Sequence, residues 1–153
     1  MGTIHRGLFP ETLPGRNTDG SLSDPLTVVL VDDQRIFRNV AKSMLEREGD
    51  CDVIGEAEDG TGAIKLVESC DPDVVVMDIQ MAELGGLEAT RKILATHPDT
   101  NIVLVSMGSD TEYPRLAMEI GARGFLAKRN LSSGSLRSLL GLGPQNSPAA
   151  MAA

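Results

Sequence analysis

Three short runs, Thr27–Val31, Asp73–Met77 and Ile102–Val105, are apolar at every position after their first residue and too brief for helices. A strand apolar on both sides of its pleat cannot face water on either, so it belongs in a parallel sheet covered on both faces. Two weaker candidate strands, Asp52–Ala57 and Gly124–Ala127, complete a set of five. Each strand is followed by a stretch with helical periodicity. Gln34–Arg47 places Ile36, Phe37, Val40, Ala41, Met44 and Leu45 on one helix face, and Gly49 closes it. Thr61–Ser69 carries Ile64, Leu66 and Val67, and Leu87–Thr96 carries Leu87, Ile93 and Leu94. Pro114–Ile120 opens with a proline suited to a first helical turn and is followed by Gly121. Ser135–Leu140 supplies a last helix through Leu136, Leu139 and Leu140.

Five strand–helix units with right-handed crossovers predict an α/β fold, a doubly wound five-stranded parallel sheet with helices on both faces. The flavodoxin-like strand order 2-1-3-4-5 is one of the two common solutions, and the one expected here. The domain is expected over 26–140, between a loose leader at 1–25 and a tail at 141–153 that reads as a flexible end or the start of a linker. Only 3% of the 153 residues are aromatic and none is Trp, so the core must be aliphatic. No apolar run approaches the roughly 18 residues of a membrane span, and no secretory signal is visible, so a cytoplasmic protein with no membrane association is expected. A net charge of −8 argues against direct nucleic-acid binding by this chain. Cys51 and Cys70 lack metal-site spacing and are expected to be reduced and mostly packed; His5 and His97 are isolated.

Four strands end in reactive polar residues: Asp32 and Asp33 after the first, Asp78 after the third, Ser106 after the fourth and Lys128 after the fifth. In the order 2-1-3-4-5 these strands are neighbours, and their carboxyl ends line the edge where open α/β sheets bind ligands. Three carboxylates brought together repel one another, and a hard divalent cation such as Mg²⁺ relieves the conflict. Such an ion also neutralises charge on a phosphoryl group in transfer. A carboxylate can attack phosphorus, while a hydroxyl and an ammonium hold the transferred oxygens.

The segments VVLVDDQRIFR, VVVMDIQMAELGGLEATR and GARGFLAK resemble the first strand with its acidic pair, the phosphoacceptor strand and the lysine strand of response-regulator receivers. The likeness covers about residues 26–140. It implies that Asp78 accepts a phosphoryl group from a histidine kinase or phosphotransfer protein. Mg²⁺ would be held by Asp33, Asp78 and the backbone carbonyl of Gln80, with Asp32 acting through water. Ser106 and Lys128 would contact the phosphoryl group, and Ser106 and Phe125 would form the switch. The family's homodimers would use surfaces of helix four, strand five and helix five, or of helices one and five. GARGFL followed by Lys resembles the branch with a C-terminal helix-turn-helix domain, which points to transcription regulation. The module would assist its own phosphorylation and hydrolysis without being an enzyme for a separate substrate.

Some positions depart from the family. Ala82 stands where Pro is usual, Gly85 where Asp or Asn precedes the loop glycine, and Arg129 where many members have a cis proline. The first two are expected to loosen the loop after the third strand. Met107 occupies a commonly small position on the rim above Asp78 and is expected to govern access. Met107 and the Gly85–Gly86 loop motivate the alternative reading, a phosphorylation-independent receiver-like interaction module. A small acyl-phosphatase is disfavoured, since such an enzyme usually carries a substrate-capping element and the chain offers no extra domain for it.

Overall fold

The computed structural model describes residues 24–108 and 111–142. Most of the expected leader and tail therefore lies outside the described residues. The elements alternate as β1 (Leu26–Val31), α1 (Arg35–Glu46), β2 (Cys51–Ala57), α2 (Gly60–Cys70), β3 (Val74–Asp78), α3 (Gly86–Thr96), β4 (Ile102–Ser106), α4 (Glu112–Glu119), β5 (Gly124–Ala127) and α5 (Ser133–Leu139). The sheet order is β2-β1-β3-β4-β5, with every pairing parallel.

Alternation along the strands divides the core in two. Val28, Leu30, Val74, Val76, Val103 and Val105 point to one side, against Ala41 and Leu45 of α1 and Leu136 of α5. Val29, Val31, Val75, Met77, Ile102 and Leu104 point to the other, against Ala63 and Val67 of α2, Ala89 and Ile93 of α3 and Ala117 of α4. β3 and β4 are buried at every position. That double coverage is why their sequences carry no polar alternation. No helix among the described residues is long and apolar enough to cross a membrane.

Helix starts follow local capping. Asp59 accepts from the Gly62 amide at 2.9 Å, so α2 begins at Gly60. Ser132 and Ser135 form a reciprocal capping box, and α5 begins two residues earlier than its leucine spacing suggests. α4 begins at Glu112, which keeps Pro114 within the first turn, where a missing N–H costs nothing.

Several expectations need correction. Ile36 and Val40 are 79% and 59% exposed. The stripe of α1 that meets the sheet is Phe37, Ala41, Met44 and Leu45, and one residue of offset turns a side chain by about 100° away from it. Cys51 is buried but Cys70 is exposed. Leu142, assigned to the tail, is buried in the core on the α1 and α5 side, so the packed unit runs past residue 140. Gly85 has an extended backbone, φ −73 and ψ 169, which any residue adopts, so it does not mark a specially loose position. Gly86 is tightly placed: a Cβ there would collide with the Asp78 carbonyl oxygen and lie 2.9 Å from Ile79 Cα.

Candidate functional site

The site forms where β1, β3, β4 and β5 end. Past β1, the Asp32 amide still bonds to the Ala57 carbonyl at 3.0 Å, carrying the acidic pair one residue beyond the strand. Past β3, the Ile79 amide bonds to Val105 at 2.9 Å and its carbonyl accepts from Gly86 at 3.2 Å, so the chain after Asp78 is clamped on both sides. β4 ends on Ser106, paired with Ala127 of β5, and Lys128 follows at the start of a short 3-10 turn.

Three of these strand ends share one local device. Asp32 Oδ1 accepts from the Gln34 amide at 2.8 Å, Asp78 Oδ1 from Gln80 at 3.1 Å and Ser106 Oγ from Gly108 at 3.2 Å. Each side chain closes its own turn two residues ahead, as short polar side chains do. The second oxygens of Asp32 and Asp78 face the lysine. Lys128 Nζ lies 2.6 Å from Asp32 Oδ2 and 3.5 Å from Asp78 Oδ2. Asp32, Asp78, Ser106 and Lys128 are all buried, whereas Asp33 is exposed.

Carboxylate oxygens of Asp32, Asp33 and Asp78 lie within 4.8 Å of one another. Burial, chiefly, and then the Asp32 carboxylate push the Asp78 carboxyl up to about 6, against the opposing pull of the Gln80 amide and Lys128. One ammonium thus leaves the negative charge incompletely balanced. An all-oxygen donor set of this charge suits a hard cation such as Mg²⁺.

The structure brings the expected Asp32, Asp33, Asp78, Ser106 and Lys128 to one sheet edge. Gln80 follows directly in the β3–α3 loop. The Ala82 amide, a donor that proline would lack, bonds to Asp33 Oδ2 at 3.3 Å. Met107 is 68% exposed and does not pack beneath α4. The bond before Arg129 is trans. Phe125 is half-buried, its ring centroid 6.0 Å from that of Tyr113 on α4.

Three contributing residues were not singled out from sequence. Arg38 donates to the Asp32 carbonyl at 2.6 Å and pairs with Glu56 at 2.9 Å, tying α1 to both β1 and β2. The Tyr113 hydroxyl accepts from Gln80 Nε2 at 3.3 Å, linking α4 to the loop after Asp78. Phe37, read only as a core position of α1, places its ring centroid 4.4 Å from Lys128 Nζ. An arginine or tyrosine on a helix reads as a solvated residue, and no local pattern announces its distant partner.

Comparison with known proteins agrees with this geometry. The model of the response regulator receiver domain matches residues 28–139. The transcriptional regulatory protein DegU of Brevibacillus brevis is 37% identical over 103 residues, covering 67% of this chain and 44% of DegU. The response regulator UvrY of Escherichia coli K12 is 38% identical over 103 residues, covering 67% of this chain and 47% of UvrY. The chain thus spans less than half the length of these relatives. Among solved structures, the receiver domain of the response regulator NarL from Mycobacterium tuberculosis superposes with a TM-score of 0.70 at 28% identity, covering 77% of this chain and 95% of that domain. A LuxR-family response regulator from Aurantimonas gives 0.71 at 29% identity, covering 84% and 94%. Strand order, acidic cluster, lysine and sequence likeness converge on one family: this chain belongs to the response regulator receiver domains of two-component signalling.

Proposed function

We propose that Asp78 is the phosphoryl acceptor and that its modification switches an output surface. The observation that carries this reading is the gathering of three carboxylates within 4.8 Å, with the Lys128 ammonium 3.5 Å from the Asp78 oxygen. A carboxylate oxygen of Asp78 attacks the phosphorus of a phosphohistidine. The O–P bond forms as the N–P bond breaks, and the imidazole leaves with the electron pair and takes up a proton. Asp33, Asp78 and the Gln80 carbonyl would hold Mg²⁺, with Asp32 acting through water. When bound, that ion supplies positive charge beside the phosphoryl oxygens.

The chain's own residues do the rest. Lys128 draws a phosphoryl oxygen toward the side of Asp78 it already faces, and the Ser106 hydroxyl donates to another. Both are buried, so their interactions act in a low-dielectric setting. The Gln80 amide keeps Asp78 Oδ1 engaged, which leaves Oδ2 as the attacking atom. Movement of Ser106 toward the phosphoryl group vacates space into which Phe125 turns, and Tyr113 of α4 moves with that ring. The readout surface is therefore α4, β5 and α5. Hydrolysis by water returns Asp78 and inorganic phosphate, so the module assists its own phosphorylation and reset while acting on no other substrate.

The phosphoryl donor is a histidine kinase or phosphotransfer protein, and the regulated process is transcription, in keeping with the description of DegU as a transcriptional regulatory protein. Titration of the wild-type chain with Mg²⁺ should show one site, weakened in Asp33→Ala because the ion dehydrates reluctantly and needs its anionic ligands. Unchanged affinity in that variant would refute the ligand role of Asp33.

A further inference from the structure

Lys128 is 7% exposed, and its ammonium has a third neighbour besides the two carboxylates. The Phe37 ring lies beneath Nζ at 4.4 Å, approaching from α1, while Asp32 and Asp78 approach from the sheet edge at 2.6 and 3.5 Å. We propose that Phe37 is a positioning residue for phosphoryl transfer, its ring face holding the Lys128 ammonium over the acceptor. This inference rests on the reading of Asp78 as acceptor and Lys128 as its phosphoryl contact.

A buried ammonium needs compensation for lost hydration, and carboxylates alone would provide it at a cost in mobility. Asp32 Oδ2 already holds Nζ closely. A lysine pinned to Asp32 could not follow the new phosphoryl oxygens when they appear on Asp78. An aromatic face attracts a cation through its quadrupole but has no fixed acceptor position. The ammonium can therefore slide across the ring from Asp32 toward the phosphoryl group without losing that attraction. Phe37 is half-buried against the core on the α1 and α5 side, which fixes the ring plane. The same helix, through Arg38, holds the Asp32 carbonyl. α1 thus governs both the lysine and the carboxylate it must leave.

The test separates ring electrostatics from packing. Phe37→Leu keeps an apolar side chain but removes the π face. Pentafluorophenylalanine at position 37 keeps the ring's shape and reverses its quadrupole. Phosphorylation by acetyl phosphate, followed by intact mass, should slow by about three- to tenfold in both. A wild-type rate in the pentafluoro protein overturns the proposal, because a packing role would survive that change. A second readout needs no phosphorylation. In the wild-type protein the Lys128 ε-methylene protons should resonate upfield through the ring current of Phe37 and return to ordinary positions in Phe37→Leu. Ordinary positions in the wild type would remove the contact itself. If wild-type protein takes no phosphoryl group yet shows the ring-current shift, the acceptor reading fails and the Phe37–Lys128 contact stands.

Discussion

As the proposed acceptor, Asp78 would face two demands that conflict without metal: it lies close to other carboxylates, and it would have to be ionised to attack phosphorus. The carboxyl is raised from 3.8 to about 6, so the folded chain binds its proton more tightly than the unfolded chain. Between those values the unfolded chain has released a proton that the folded chain retains, so stability from this group falls as pH rises. In EDTA, Asp78→Asn should therefore be more stable than wild type above about pH 6, and the advantage should fade toward pH 4. Urea unfolding at a series of pH values measures it, and a variant no more stable at pH 7 than at pH 4 relative to wild type would contradict the burial of this carboxyl beside Asp32. Met107 makes a different kind of contribution. Its side chain is 68% exposed next to Ser106, so truncation removes little packing. Met107→Ala should speed both phosphorylation by small donors and loss of the phosphoryl group by a few-fold, about 1 kcal/mol in each barrier. Its melting temperature should barely move; a sharp fall with unchanged rates would reject the gate.

The loop from β3 to α3 shows how an element sets the geometry around Asp78. Gly86 begins α3 in direct contact with the Asp78 backbone, and its amide bonds to Ile79 at 3.2 Å. Gly86→Ala should force that backbone apart, cost about 1–3 kcal/mol and slow phosphorylation even where the variant remains folded. Chemical denaturation with intact-mass kinetics on one sample checks both, and an unperturbed variant would show that the approach is less tight than described. Sequence alone suggested the opposite character for this loop, because Ala82 in place of proline and Gly85 in place of Asp or Asn read as freedom when only backbone preferences are considered. The same limit applies to α1. Helical spacing grouped Ile36 and Val40 with Phe37 and Ala41, since periodicity defines a broad face but not which edge of it meets the sheet. α5 was found two residues short because Ser132–Ser135 resembles a turn until the reciprocal cap closes.

The molecule as a whole was more legible than its parts. Continuous apolar runs at β3 and β4 required cover on both faces, and that requirement with right-handed crossovers leads to a doubly wound sheet, of which the observed order is one of the two common forms. The order in turn explains why Asp32, Asp78, Ser106 and Lys128, separated along the chain, could be assigned to one edge. Arg38, Tyr113 and the ring contact of Phe37 escaped notice because their roles exist only once helices are docked on the sheet. All of these features serve one claim, that Asp78 takes a phosphoryl group. The most direct measurement is the intact mass of the chain after incubation with acetyl phosphate and Mg²⁺, beside Asp78→Asn treated identically. Wild type should gain a single adduct of about 80 Da, the mass of one phosphoryl group, and the variant none. An adduct of equal yield on Asp78→Asn, or none on wild type, would contradict it.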